Sequence, residues 1–283
     1  MAGATIRIFL ADGTPKGLRV IEKSNWIGRG LAFERADWVR LRTRQDFSRP
    51  GVYVLFGQGD DNTDLAYVGE ADELRKRITQ HYGSLGFWRR AVAFMSRDQD
   101  LNKAHVRYLE SHLIERAAAA KRSRLANGNA PPVPQLSESD EADAEAFLDE
   151  MLLILPLVGI DVFTPIEAPP ATEPELRLTL RGTDARGYES TEGFIVRAGS
   201  WAAVSEVPSV HEYIRRLRAK LLSSGVLVPH GERLRFTQDY AFNSPSTASG
   251  VVMGRSSNGR ADWKDASGRS LAQVQAETAK AVS

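Results

Sequence analysis

The sequence predicts an α+β protein: a small antiparallel three-stranded sheet flanked by helices, an N-terminal β-hairpin extension before it, and a second small α+β domain after it. Three observations carry this. The chain has 283 residues, enough for about two cores, and a stretch with four prolines, Thr164 to Glu175, separates the halves. Runs of β-branched and aromatic residues are joined by loops too short for a crossover, so they pair antiparallel. Apolar residues then recur at helical spacing.

Taken in order, Ile6 to Leu10 and Leu18 to Ile21 read as a hairpin, with Asp12-Gly13 and Pro15 marking the turn. Scattered aromatics continue from Trp26 to Leu41, and residues 1–45 form the extension. Pro50-Gly51 opens a strand to Phe56, Gly57 to Asp64 is an acidic loop, and Leu65 to Val68 returns. Asp72 suits a helix N-cap, and Leu74, Ile78 and Tyr82 share the stripe behind it. A helix over about Leu101 to Lys121, a Gly/Pro-rich loop at Asn127 to Pro134, an acidic helix from Ser137 to Leu155 and a short strand at Gly159 to Phe163 complete residues 46–163. Residues 164–175 are the linker. Residues 176–283 hold a strand at Gly193 to Val196, a helix at Val210 to Ser223 and a hairpin centred on Asn258-Gly259.

Composition narrows the chemistry. There is no cysteine, which excludes disulfides, thiol catalysis and cysteine-ligated zinc and suits a reducing cytoplasm. Met1 to Gly13 has no long apolar core, so no signal peptide is expected, and Met151 to Ile160, broken by Pro156 and Gly159, is too short to span a bilayer. Net charge is only +1, yet cations crowd Arg75 to Arg124 and acids crowd Glu138 to Glu150. That separation fits a polyanion-binding face or, equally, a solvated face balanced by the acidic helix. No Walker loop, HExxH string or dinucleotide fingerprint is present.

The residues with chemical potential lie close together. Arg77 and His81 are one helical turn apart and share a side of their helix. A guanidinium grips phosphate oxygens in pairs. Glu110 sits among Val106, Leu113, Ile114 and Ala117 on a helical projection, so its carboxylate needs a cation or an arginine to compensate burial. Tyr53 and Tyr67 are core aromatics or site phenols.

The order Gly51-Val52-Tyr53, Tyr67-Val68-Gly69, Arg77, His81, Glu110 resembles the GIY-YIG nuclease family over roughly Asp46 to Phe163. The resemblance implies one-metal phosphodiester hydrolysis. Tyr53 and Tyr67 line the site, Tyr53 activates the attacking water, and His81 relays the proton. Arg77 holds the phosphate, and Mg²⁺ (or Mn²⁺) on Glu110 stabilises the leaving oxygen. Gly69 opens room for nucleic acid, while Arg75, Lys76, Arg89 and Lys103 contact flanking phosphates. The family's bracing asparagine corresponds to Asn127 or Asn129.

Phe242 to Ser249, Gly254 to Gly259 and Trp263-Lys264 resemble a small domain that trails GIY-YIG modules, and also the RAMA domains. The second resemblance implies DNA reading, with Arg255 and Lys264 on phosphates and Trp263 stacked on a base. A tryptophan plugging its own small core is the alternative. The leading expectation is a metal-dependent DNA endonuclease of the cytoplasm, acting in restriction, repair or defence and needing no membrane. A non-cutting nucleic-acid-binding protein or a protein-interaction adaptor stands beside it.

Overall fold

The computed structural model describes residues 3–60, 63–98, 101–128, 131–166, 174–180 and 182–282. They are mixed α+β and divide into two compact units, Met1–Pro165 and Ile166–Ser283. Most of the stretch expected to be a linker, including residues 167–173, lies outside the described residues. No described helix is long and apolar enough to cross a membrane.

In the first unit the strands are β1 (Ile6–Leu10), β2 (Arg19–Lys23), β3 (Gly28–Glu34), β4 (Gly51–Gln58), β5 (Asp64–Ala71), β6 (Trp88–Ser96) and β7 (Arg124–Leu125). They form one sheet in the order β1-β2-β3-β6-β4-β5-β7, antiparallel except for β5–β7. The helices are α1 (Trp38–Leu41), α2 (Leu74–Ser84), α3 (Lys103–Ala120) and α4 (Glu138–Ile154).

The expected three-stranded sheet is therefore only the β6-β4-β5 part of a seven-stranded one. Residues 1–45 are no separate extension, because β3 pairs with β6 from Gly28↔Ser96 to Glu34↔Arg90 and ties the hairpin into the sheet. The strand expected at Gly159 to Phe163 is absent. Pro156 opens a 3-10 turn there, and Gly159 takes the left-handed φ of 77° that ends it. Asp72 does not cap α2 either: Glu73 holds that position without a side-chain cap, and Asp72 pairs with Lys103 at 2.6 Å.

Period-two alternation sorts the sheet residues between two cores. Val52, Val54, Ala66 and Val68 pack with Val106, Leu109 and Leu113 of α3 and Met151 of α4. Tyr53, Leu55 and Ala93 face the other way, against Trp38 of α1 and Leu74 and Ile78 of α2.

The second unit has β8 (Leu176–Leu178), β9 (Ala185–Ser190), β10 (Gly193–Val196), β11 (Trp201–Ala203), β12 (Leu227–His230), β13 (Arg233–Phe236) and β14 (Tyr240–Phe242). These make two sheets, β14-β10-β9-β8 and β11-β13-β12. The helices are α5 (Glu212–Ser223), α6 (Pro245–Met253), α7 (Gly259–Asp262) and α8 (Leu271–Val282).

The hairpin expected around Asn258-Gly259 is not formed. Val251 and Val252 belong to α6, which Ser244 caps, Pro245 opens and Gly254 closes at φ 64°. Gly259 instead admits the Pro245 backbone, which would lie 2.2 Å from a Cβ there.

Candidate active site

Both motif glycines answer to close approach. A Cβ on Gly51 would meet the Phe94 carbonyl oxygen of β6 at 2.2 Å. A Cβ on Gly69 would meet the Tyr53 phenol oxygen at 2.4 Å, and Tyr53 opposes Gly69 across the β4–β5 pair. The missing side chain on β5 is thus the space that the Tyr53 hydroxyl fills.

Around that hydroxyl the polar groups are under-satisfied. Tyr53 is fully buried, and its oxygen makes no well-formed hydrogen bond, with the Arg77 guanidinium within weak reach of it. Tyr67 lies beside it, the ring centroids 6.2 Å apart. The His81 imidazole sits 4.7 Å from the Tyr67 ring and 5.9 Å from the Tyr53 ring, and both its nitrogens are buried without partners. Buried polar atoms are normally paired, so three unpaired ones in one cluster single it out as the candidate site.

Electrostatics follows from burial and from Arg77. Burial first, then the neighbouring Tyr67, pushes the Tyr53 phenol far above its ordinary value, while the Arg77 charge opposes the rise. Burial, then Arg77, pushes His81 down to about 4, so the imidazole is neutral at pH 7 and can accept a proton. Arg77 is exposed and donates to Gln80 Oε1 at 3.2 Å.

Glu110 shares a cleft of about 720 Å³ with Arg77, Lys76, Lys103 and Glu70. Burial, then Glu70, pushes its carboxyl up to about 7, opposed by the Glu70 backbone amide, Arg77 and Arg107. Glu70 was not singled out from sequence, though it directly follows the Tyr67-Val68-Gly69 motif. Its signal is register: it opposes Val52, so it points to the α3 side of the sheet, where Glu110 lies.

Such a pair suits a divalent cation, which would relieve both the buried charge and the carboxylate repulsion. Mg²⁺ is commonly held by one or two carboxylates, with water and substrate oxygens completing its shell. Among the described residues no group of three or more His, Asp or Glu side chains is arranged to hold a metal.

The other expected contacts divide. Asn127 clasps the motif strand, accepting from Val68 N at 3.1 Å and donating to Val68 O at 2.7 Å. Asn129 lies outside the described residues. Arg89 is exposed, Arg75 donates to the Arg44 carbonyl at 3.2 Å, and Lys76 pairs with Glu73 at 2.6 Å. The acidic α4 meets α3: Tyr108 donates to Glu141 and Glu145, both at 3.4 Å. Lys76 with Glu73, Lys103 with Asp72 and Arg107 with Glu70 neutralise part of the basic stretch locally.

In the second unit Lys264 is exposed and Arg255 half-buried. Trp263 corrects an expectation. Its ring is fully buried 4.6 Å from that of Phe194, and Nε1 donates to the Pro245 carbonyl at 3.1 Å, so neither face is open to a base.

Residues 176–275 match the family model described as a domain of unknown function (DUF4357). No curated protein and no solved structure matches the chain.

Proposed function

We propose that the first unit is a metal-dependent DNA endonuclease of the GIY-YIG type, hydrolysing phosphodiester bonds at the Tyr53–His81–Arg77–Glu110 cluster. One observation carries the reading: the Tyr53 hydroxyl and both His81 nitrogens are buried without well-formed hydrogen bonds, beside the Arg77 guanidinium and a carboxyl pushed up to about 7. That set lacks what a scissile phosphate and its attacking water would supply.

Each side chain has a distinct task in this reading. Arg77 binds the phosphate oxygens and spreads the charge that develops on them. The Tyr53 hydroxyl orients the attacking water, and neutral His81 takes up the released proton. Tyr67 and Gly69 shape the wall. Mg²⁺ or Mn²⁺ held by Glu110, with Glu70 beside it, would supply Lewis-acid stabilisation of the leaving oxygen. Asn127 keeps the motif strand in place by clasping Val68.

Purified protein incubated with single- and double-stranded DNA and Mg²⁺ or Mn²⁺ should cut, and chelator should stop it. Arg77→Ala and Glu110→Gln should each lower turnover by about 10²–10³ while staying folded, as a cooperative melting curve would show. Folded variants that cut at the wild-type rate would sink the assignment. A non-cutting nucleic-acid-binding protein is the second reading, favoured by the burial that holds the Tyr53 phenol protonated. The same assay decides, since binding without metal-dependent cleavage selects it.

A further inference from the structure

Two adjacent rows of directly opposed residues cross the second unit. In the first, Lys264 opposes Arg177 across an isolated bridge, and Arg177 opposes Arg186 between β8 and β9. Directly opposed residues of an antiparallel pair project from the same face, and like charges placed so destabilise the pair. All three side chains are exposed, and among the described residues none makes an ion pair or a side-chain hydrogen bond.

The second row begins at Asp184, two residues before Arg186 and therefore on the same side. Asp184 opposes Trp201 across another isolated bridge, and Trp201 opposes Arg235 between β11 and β13. The Arg235 guanidinium lies 5.7 Å from the centroid of the Trp201 ring, and the His230 ring meets it edge-on at 5.1 Å. The other four tryptophans of the chain are buried, and Trp201 alone is half-exposed. Asp184 is the one acid in either row.

We propose that this face binds single-stranded DNA, with Lys264, Arg177 and Arg186 on successive phosphates and an unstacked base on the Trp201–Arg235 pair. Strands about 4.8 Å apart bring the three cations within reach of neighbouring phosphates, and the repulsion they exert on one another is relieved when a polyanion lies across them. An accessible indole flanked by a guanidinium accepts the π-face of any base, which a duplex keeps inside its stack. A single strand is therefore the occupant. The choice of DNA as the polymer rests on the reading of the first unit, and the face itself does not.

The full-length protein in chelator, titrated with a labelled oligo-dT strand, tests the face without cleavage. Bound DNA should quench part of the tryptophan fluorescence, and Trp201→Phe should remove that quenching. Trp201→Ala should weaken binding roughly ten- to a hundredfold with the salt slope unchanged. The triple variant Arg177→Ala, Arg186→Ala, Lys264→Ala should lower the slope of log affinity against log salt by about 2, near 0.7 for each phosphate left without its cation. Melting curves accompany each variant, and the quenching of Trp201→Phe decides if Trp201→Ala fails to fold. Undiminished quenching in Trp201→Phe, an unchanged salt slope in the triple variant, or tighter binding of duplex DNA or oligo-U RNA than of oligo-dT would overturn the proposal. Cleavage by the first unit is a separate readout: active protein with an indifferent Trp201 sinks this face alone, and inactive protein that binds through it sinks the nuclease alone.

Discussion

The buried polar groups of two pairs of side chains, Arg218 and Trp263 in the second unit and Tyr53 and His81 in the first, are handled in opposite ways. In the second unit, Arg218 is 1% exposed and fully engaged: Nε donates to Glu206 at 2.9 Å, one terminal nitrogen to the Val251 carbonyl, and the other to the Ala203 and Val204 carbonyls at 2.6 and 3.2 Å. Trp263 likewise spends its N–H on Pro245. In the first unit, the Tyr53 hydroxyl and the His81 imidazole are buried without a well-formed hydrogen bond. A satisfied buried group holds a fold together, whereas an unsatisfied one costs stability and is kept for what it can later bind.

Three substitutions break or sharpen that contrast. Arg218→Ala should have the largest effect on stability, because it leaves three backbone carbonyls without their donor and takes from Glu206 one of its two arginine partners. A loss of about 3–5 kcal/mol is expected in denaturant titrations. A loss under about 1 kcal/mol would mean that the arginine is decoration.

Tyr53→Phe should behave in the reverse sense. Removing a buried hydroxyl that lacks a well-formed hydrogen bond should leave stability level or raise it by up to ~1–3 kcal/mol of relieved desolvation, while DNA cleavage drops by at least ~10². Cleavage at the wild-type rate would return Tyr53 to the core.

The smallest effect is a pH dependence. The Glu110 carboxyl is raised from 4.5 to about 7 in the folded protein, so its contribution to stability is complete below 4.5 and lost as pH rises through 7. His81, lowered from 6.5 to about 4, runs the other way and costs stability as pH falls through that interval. Comparing wild type with Glu110→Gln cancels the histidine. In chelator the wild type should lose melting temperature relative to Glu110→Gln between pH 5 and 8, and Mg²⁺ at pH 8 should narrow the gap. Parallel curves would show that the carboxyl is not strained.

Local patterns were legible in the sequence wherever chemistry and periodicity agreed. The strands over Gly51–Gln58 and Asp64–Ala71 and the helices over Leu74–Ser84 and Lys103–Ala120 stand close to where alternation, glycines and apolar stripes place them. What failed was non-local or ambiguous. Trp88–Ser96 carries Arg89 and Arg90 at its start, and that local charge masks the strand that joins β3 to β4. Near Asn258 the Asn-Gly turn signal outweighed the Ser244-Pro245 start and Gly254 stop of a helix, although those cues were equally visible. The burial of Trp263 depends on Phe194, far away in sequence, and no local pattern carries that. Trp201 gives no local signal for the converse reason, since only cross-strand register sets it beside Arg235.

The clasp of Asn127 on Val68 also bears on how the sheet avoids growing. A terminal strand offers a row of backbone groups that can template another chain. On the β5 side that row is occupied, by β7 at Leu65 and Ala66 and by the Asn127 amide at Val68. The opposite margin is β1, which no described strand covers and where Phe9 is 66% exposed and Ile8 42%. The margin beside the candidate site is thus capped from Leu65 to Val68 by a two-residue strand and a side chain, whereas β1 presents five residues to an added strand.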